Sequence, residues 1–263
     1  MNKKLIAVAV TAALASPLFA VAADAPTPVH TFTGNFTIAS EYLYRGIAQT
    51  RGKPALQGGF DYAHASGFYA GVWGSNISWI SDAVVGASSS LELDVYGGYK
   101  GAINSDLGYD LGVLTYVYPG SGKPSGAAKP DTTEVYGALT YKWLTAKYSH
   151  TTGSLFGWVK PDGSKTKGSG YLDLTGTFDL GDGLSLVAHV GRQSVRGLSA
   201  ASYTDWKIGV NKDLGFGVVG VAYIDTNAKA NCGNGEAYCF VKTDGATYDA
   251  GKGRLLVTFG KTF

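Results

Sequence analysis

The sequence predicts an all-β protein, a single up-and-down antiparallel transmembrane β-barrel of about 12 strands with short periplasmic turns and longer extracellular loops. Three observations predict it. Apolar and polar residues alternate with period two in one segment after another, as they must when successive side chains point to opposite faces of a strand. The gaps between segments are short and long by turns, which an up-and-down barrel produces when one rim carries tight turns and the other carries loops. The composition, 38 Gly and 17 Tyr but a single Met in 263 residues, suits β structure with many bends.

The first element is not part of the barrel. Residues 1–23 run from two lysines through an apolar stretch to small residues suited to cleavage near Ala23, the order of a secretory signal peptide. Residues 24–263 then form the barrel domain. Beyond the signal, no run approaches the ~18 apolar residues of a spanning helix.

Strands are expected near 32–45, 53–63, 67–79, 89–101, 106–118, 131–142, 144–152, 168–180, 183–196, 203–213, 216–227 and 251–263. Each is close to the ~9–11 residues that a tilted strand needs to cross a bilayer. The even-numbered gaps are minimal, as in HAS, AINS and GDG, whereas the odd-numbered ones include GIAQTRG, PGSGKPSGAAKP and the Cys-bearing stretch 228–250. Alternation assigns the faces. Leu91, Leu93, Val95 and Tyr99 share the apolar face of their strand, opposite Glu92, Asp94 and Tyr96. Leu172, Leu174, Phe178 and Leu180 oppose Asp173, Thr175 and Thr177, and His189 opposes Leu184, Leu186 and Val190.

The last strand puts Leu255, Val257, Phe259 and Phe263 on one face and Arg254, Thr258 and Thr262 on the other. This is similar to the C-terminal signature of outer-membrane barrels, which implies strand closure and recognition by the barrel assembly machinery. Lys261 departs from the pattern and is expected to snorkel to the interface. Aromatic residues near strand ends, among them Tyr42, Tyr44, Phe68, Tyr69, Trp79, Tyr109, Tyr116, Tyr118, Tyr141 and Trp143, fit interfacial girdles.

Charge excludes one class of partner. Without Lys3 and Lys4 the 22 basic residues fall to the number of acidic ones, 20, and no basic stripe interleaved with aromatics supports nucleic-acid binding. Cys232 and Cys239 are expected to form a disulfide across a short loop in an exported chain. No further Cys or His stands nearby to make a metal site, and no glycine run opens a helix as a phosphate cradle would. No cofactor is expected. Ser149 and His150 are adjacent on one strand and so face apart, which argues against a nucleophile and base.

On the polar faces stand Glu41, Asp61, Glu92, Asp94, Asp110, Glu134, Asp173, Asp205 and Asp225, against Arg45, Lys147, Lys207 and Arg254, with His189 among them. These are the candidate lumen-lining residues. Acid predominates, and fixed carboxylates along a narrow aqueous path favour cations. The same charges can instead pair across the interior and plug it. The loops tilt basic, with Arg51, Lys53, Lys123, Lys129, Lys160, Lys165, Lys167, Arg196, Lys229 and Lys242, which suits lipopolysaccharide phosphates at the outer rim.

The stretch SEYLYRGIAQTRGKPALQGGFDYAHASGFYAGVWGSNIS, followed by LELDVYGGYKG, LGYDLGVLTYVYPG and TEVYGALTYKW, resembles the TorF family of porins, whose domain is also labelled Gcw_chp. Ser40, Tyr42, Arg45 and Gly46 open the motif, and the run at 67–71 leads to Trp73, Ser75 and Asn76. The resemblance implies an outer-membrane channel for small solutes or ions in a Gram-negative bacterium. An occluded barrel that binds a partner through its loops, and a membrane-embedded lipid hydrolase, remain the alternatives.

Overall fold

The computed structural model describes residues 28–83, 88–122, 128–242 and 244–263; the expected signal peptide and Lys123 lie outside them. Strand β1 (His30–Ala39) starts the ring, followed by β2 (Ala55–His64), β3 (Phe68–Asn76), β4 (Leu91–Ala102), β5 (Leu107–Val117) and β6 (Thr132–Tyr141). The ring continues through β7 (Leu144–Thr151), β8 (Gly170–Gly181), β9 (Leu184–Ser194), β10 (Tyr203–Asp213), β11 (Val218–Thr226) and β12 (Arg254–Thr262). These twelve strands close into one antiparallel barrel in chain order. Each expected segment overlaps one of them.

Closure is local and complete. β12 pairs back onto β1, with Asn35 opposite Thr262 and Ala39 opposite Thr258. Phe263 and Gly34 exchange two backbone hydrogen bonds of 2.8 and 2.9 Å. A closed ring leaves no unpaired edge. Leu255 and Val257 are exposed on the outward face, as is Phe263, while the Phe259 ring packs against Phe36 and Phe216.

Burial is inverted relative to a water-soluble domain. Phe32 is 76 % exposed and Phe60 68 %, whereas Glu92, Glu134 and Asp205 are 2 % exposed or less. Ordinarily apolar groups fill the interior and acids are almost never fully buried. Here the period-two pattern sends Val95, Leu111, Val113, Leu139, Leu172 and Ile208 outward from successive strands. An apolar band therefore surrounds a polar lumen.

Interior glycines have a specific use. A Cβ at Gly71 would enter the Tyr96 ring, one at Gly98 the Tyr69 ring, one at Gly112 the Tyr136 ring and one at Gly191 the Tyr171 ring. Each of these lumen tyrosines lies along the wall across a glycine of an adjacent strand. A side chain there would push the ring into the lumen. The glycine density of the sequence thus reflects close approach of rings to backbone.

Differences from expectation concentrate at the long-loop end. The first segment, expected to run through residue 45, leaves the wall at Ala39, and residues 40–54 turn inward. The third ends at Asn76, and Trp79–Ala83 forms a short helix, α1, in which the Ser78 hydroxyl donates to Asp82 at 2.7 Å. The Cys-bearing stretch contains a small hairpin, Cys239–Val241 with Thr247–Asp249, and the Cys232–Cys239 disulfide.

These loops build two buried apolar clusters. One joins Leu43, Ile47 and Ala48 of the first loop to Leu155, Val195, Tyr203, Tyr238, Phe240 and Ala250. The other joins Tyr42 to Ile77, Ile80, Tyr96, Tyr116, Tyr118 and Tyr136. The girdle expectation is therefore corrected for Tyr42, Tyr44, Tyr69, Tyr116 and Tyr118, which face the interior, and for Trp79, packed against both clusters. Phe68, Tyr141 and Trp143 are exposed on the outside at the short-turn end, and Tyr109 stands there beside Tyr99.

Candidate functional site: the lumen and its inward hairpin

The residues LYRGIA form the centre of the lumen. Leu43–Tyr44 pairs with Ile47–Ala48, and Arg45 and Gly46 make the connecting turn with φ of 48° and 77°. Positive φ at both positions is the type I′ geometry that closes a two-residue hairpin, and Gly at the second position carries it without strain. Gly46 stands against the side chains of Asp205 and Thr226, where a Cβ would collide. The turn therefore reaches the wall of β10 and β11.

Arg45 fixes the hairpin to the other side. Its guanidinium grips Glu134 of β6 with two bonds, 2.7 Å to Oε2 and 3.1 Å to Oε1, and donates to Gln193 Oε1 of β9 at 2.8 Å. It also stacks 4.2 Å from the Tyr171 ring centroid of β8. A planar fork on a carboxylate and an aromatic face is a role for Arg and not for Lys. The Arg45 and Glu134 side chains are 8 % and 1 % exposed, so the latch is shielded from water.

Two hydroxyl–carboxylate networks flank it. On the β3–β5 side, Tyr42 donates to Glu92 at 2.7 Å, and the Tyr44 and Tyr116 hydroxyls meet at 2.5 Å. Burial first, and the Glu92 carboxylate second, push the Tyr42 hydroxyl well above its ordinary range, so it stays a donor. On the β8–β10 side, His189 lies 2.9 Å from Asp205 and 3.2 Å from Asp173, while the Tyr171 hydroxyl donates to Asp205 at 2.9 Å. Toward the short-turn end, Tyr69 donates to Asp110 at 2.6 Å, Tyr96 donates to Asp61 at 2.5 Å, and Lys147 Nζ sits 3.9 Å from the Tyr136 ring centroid.

Asp61, Glu92, Asp94, Asp110, Glu134, Lys147, Asp173, His189, Asp205 and Lys207 all project inward from strands, and Arg254 does so at the long-loop rim, 3.4 Å from Glu41. Three placements are corrected. Glu41 and Arg45 belong to the inserted loop and not to the β1 wall, because the chain leaves the sheet at Ala39. Asp225 lies opposite exposed Trp206, while its neighbour Ile224 is buried opposite Lys207. Directly opposed residues share a face, so Asp225 points outward.

Composition and alternation missed the interior role of Tyr42, Tyr44, Tyr171 and Gln193. A signal was present. Gly46 stands between Leu-Tyr and Ile-Ala, and glycine is the residue that admits the positive φ of a tight turn. Ser149 is buried and His150 stands beside the Tyr148 ring, on the opposite face. Among the described residues, no three His, Cys, Asp or Glu side chains converge as a metal cage.

Solved structures share the fold. A KdgM porin superposes with a TM-score of 0.51 at 9 % identity, covering 88 % of this chain and 99 % of that one. A NanC porin gives 0.50 at 9 % identity over 88 % and 98 % of the two chains. A KdgM porin in complex with disordered oligogalacturonate gives 0.50 at 9 % identity over 89 % and 99 %. No curated protein sequence matches the chain. The family match carries the Gcw_chp label and not the TorF one. The model for the family described as "Bacterial protein of unknown function (Gcw_chp)" matches residues 22–263, and the chain belongs to that family.

Proposed function

We propose that the protein is an outer-membrane channel of a Gram-negative bacterium, passing small solutes or ions along a lumen whose long-loop end is narrowed by the first loop. The observation that carries this reading is the inversion of burial, apolar groups outside and charges inside, in a closed ring. Hydrocarbon is the environment that stabilises such an exterior, and closure satisfies the backbone groups that lipid cannot. Membrane lipid, lipopolysaccharide and the barrel assembly machinery are the partners this placement implies.

The lumen carboxylates outnumber the lumen bases, so the channel prefers cations. A polyanion such as the oligogalacturonate named with the KdgM porin would meet an opposing field here. Planar-bilayer recordings of the purified protein under a KCl gradient test this, because the sign of the reversal potential reports which ion crosses. Cation preference that weakens as salt rises is expected. Anion preference at low salt contradicts the reading.

A sealed barrel that binds a partner through its loops is the second reading. The two buried clusters at the long-loop end favour it. Solute flux into liposomes separates the two, since a sealed barrel passes nothing.

A further inference from the structure

Several lumen charges have a partner of opposite sign. Arg45 neutralises Glu134, and His189 bridges Asp173 and Asp205. The wall formed by β2–β4 differs. Asp61, Glu92 and Asp94 project inward from it, and none has a cationic group within 4.0 Å among the described residues. Asp61 and Glu92 are held by hydroxyl and amide donors instead, Tyr96 and Asn35 for the first and Tyr42 for the second.

Asp94 has even less. It is 9 % exposed, and its Oδ1 is enclosed without any hydrogen-bond partner. Directly across the strands on either side stand Trp73 and Tyr116. Two residues along β4 is Tyr96, whose ring lies over Gly71. An ionised carboxylate taken out of water without a partner costs several kcal/mol, a cost that is relieved by taking up a proton or by a charge-compensating ligand at this wall. Aromatic faces beside a carboxylate are the setting in which an organic cation binds well.

We propose that the Asp94, Trp73, Tyr96 and Asp61 surface of the lumen is a binding site for a small solute bearing a primary ammonium group. The ammonium donates to Asp94 Oδ2, the carboxylate oxygen that is not enclosed, and rests against the flanking rings. A bare metal ion fits less well, because the carboxylates do not converge on one point. An ammonium needs no such convergence: it donates one bond to Asp94 and leaves its other face to the rings. The proposal rests on the channel reading only for how the solute reaches the site.

Its test is therefore an equilibrium measurement, independent of conductance. The folded full-length barrel in detergent is titrated with putrescine by calorimetry, with KCl and the uncharged 1,4-butanediol as comparison ligands. Saturable putrescine binding is expected, at least tenfold weaker in Asp94→Asn and weakened in Asp61→Asn, with no saturable binding of butanediol. Asp179→Asn, at the short-turn rim, leaves it unchanged. Heat-modifiable gel mobility shows that each variant is folded, and if Asp94→Asn does not fold, Asp61→Asn alone decides. Undiminished binding in the variant that decides overturns the proposal, as does absence of binding in the wild type or equal competition by potassium, which indicates an inorganic cation only. Conductance without putrescine binding contradicts this site and leaves the channel standing; binding without conductance does the reverse.

Discussion

Arg45→Ala opens the lumen and destabilises the barrel together. Removing the guanidinium strands Glu134 in a site where its side chain is 1 % exposed, and breaking a buried pair from one side costs about 3–5 kcal/mol. Gln193 loses its donor, and the Tyr171 face loses the group stacked on it. The hairpin then keeps its apolar contacts, the Tyr44–Tyr116 hydroxyl bond and the bond from Ala48 N–H to Ala250 O, but loses its charged latch, so it leaves the lumen for part of the time. Single-channel recordings should show larger and more frequently fluctuating conductance than wild type, with a lower urea midpoint for unfolding. Arg45→Lys retains the charge and loses the fork, and falls between the two. A variant that conducts as wild type does would remove the hairpin from any role in gating.

Val113→Arg is expected to be nearly as costly for an unrelated reason. Val113 sits within β5, opposite Gly97 and Val135, and is 45 % exposed on the outward face. In a water-soluble protein an arginine at such a position changes stability by at most about 0.5 kcal/mol. Facing hydrocarbon near the middle of a strand, it costs about 2–4 kcal/mol. Ile103→Arg is the control, because Ile103 is as exposed but lies in the turn between β4 and β5. Refolding into vesicles across a urea series measures both. Equal tolerance of the two arginines would mean that lipid does not cover the band.

The twelve strands and their facing were legible because one constraint produces both. Every second residue must suit the outside, so Leu91, Leu93 and Val95 declare their side whatever the tertiary contacts are. Closure was legible at Phe263 for the same reason. The inward hairpin was not legible from alternation, because a buried hairpin and a wall strand share period two. Leu43 and Tyr44 look alike in either. What distinguishes them is the turn at Arg45 and Gly46, where a positive φ at both residues reverses the chain.

Asp225 shows the limit of the same rule. Its polarity assigned it to the lumen, yet the register places Ile224 inward, packed among loop residues that no local pattern reveals. The tyrosines were ambiguous for a related reason. A ring near a strand end suits the interface or the interior, and glycines on adjacent strands decide which, as Gly71 does for Tyr96.

The first loop is the element expected to limit flux through a lipid-embedded ring. Gln49 N–H already donates to Tyr42 O at 2.8 Å at the base of the hairpin, so two glycines in place of residues 43–48 can keep that closing bond. Osmotic swelling of liposomes carrying this variant, with uncharged sugars of graded size, measures the effect. Swelling several-fold faster than wild type is expected, with larger sugars admitted. Identical rates for the two proteins, at any sugar size, would contradict it.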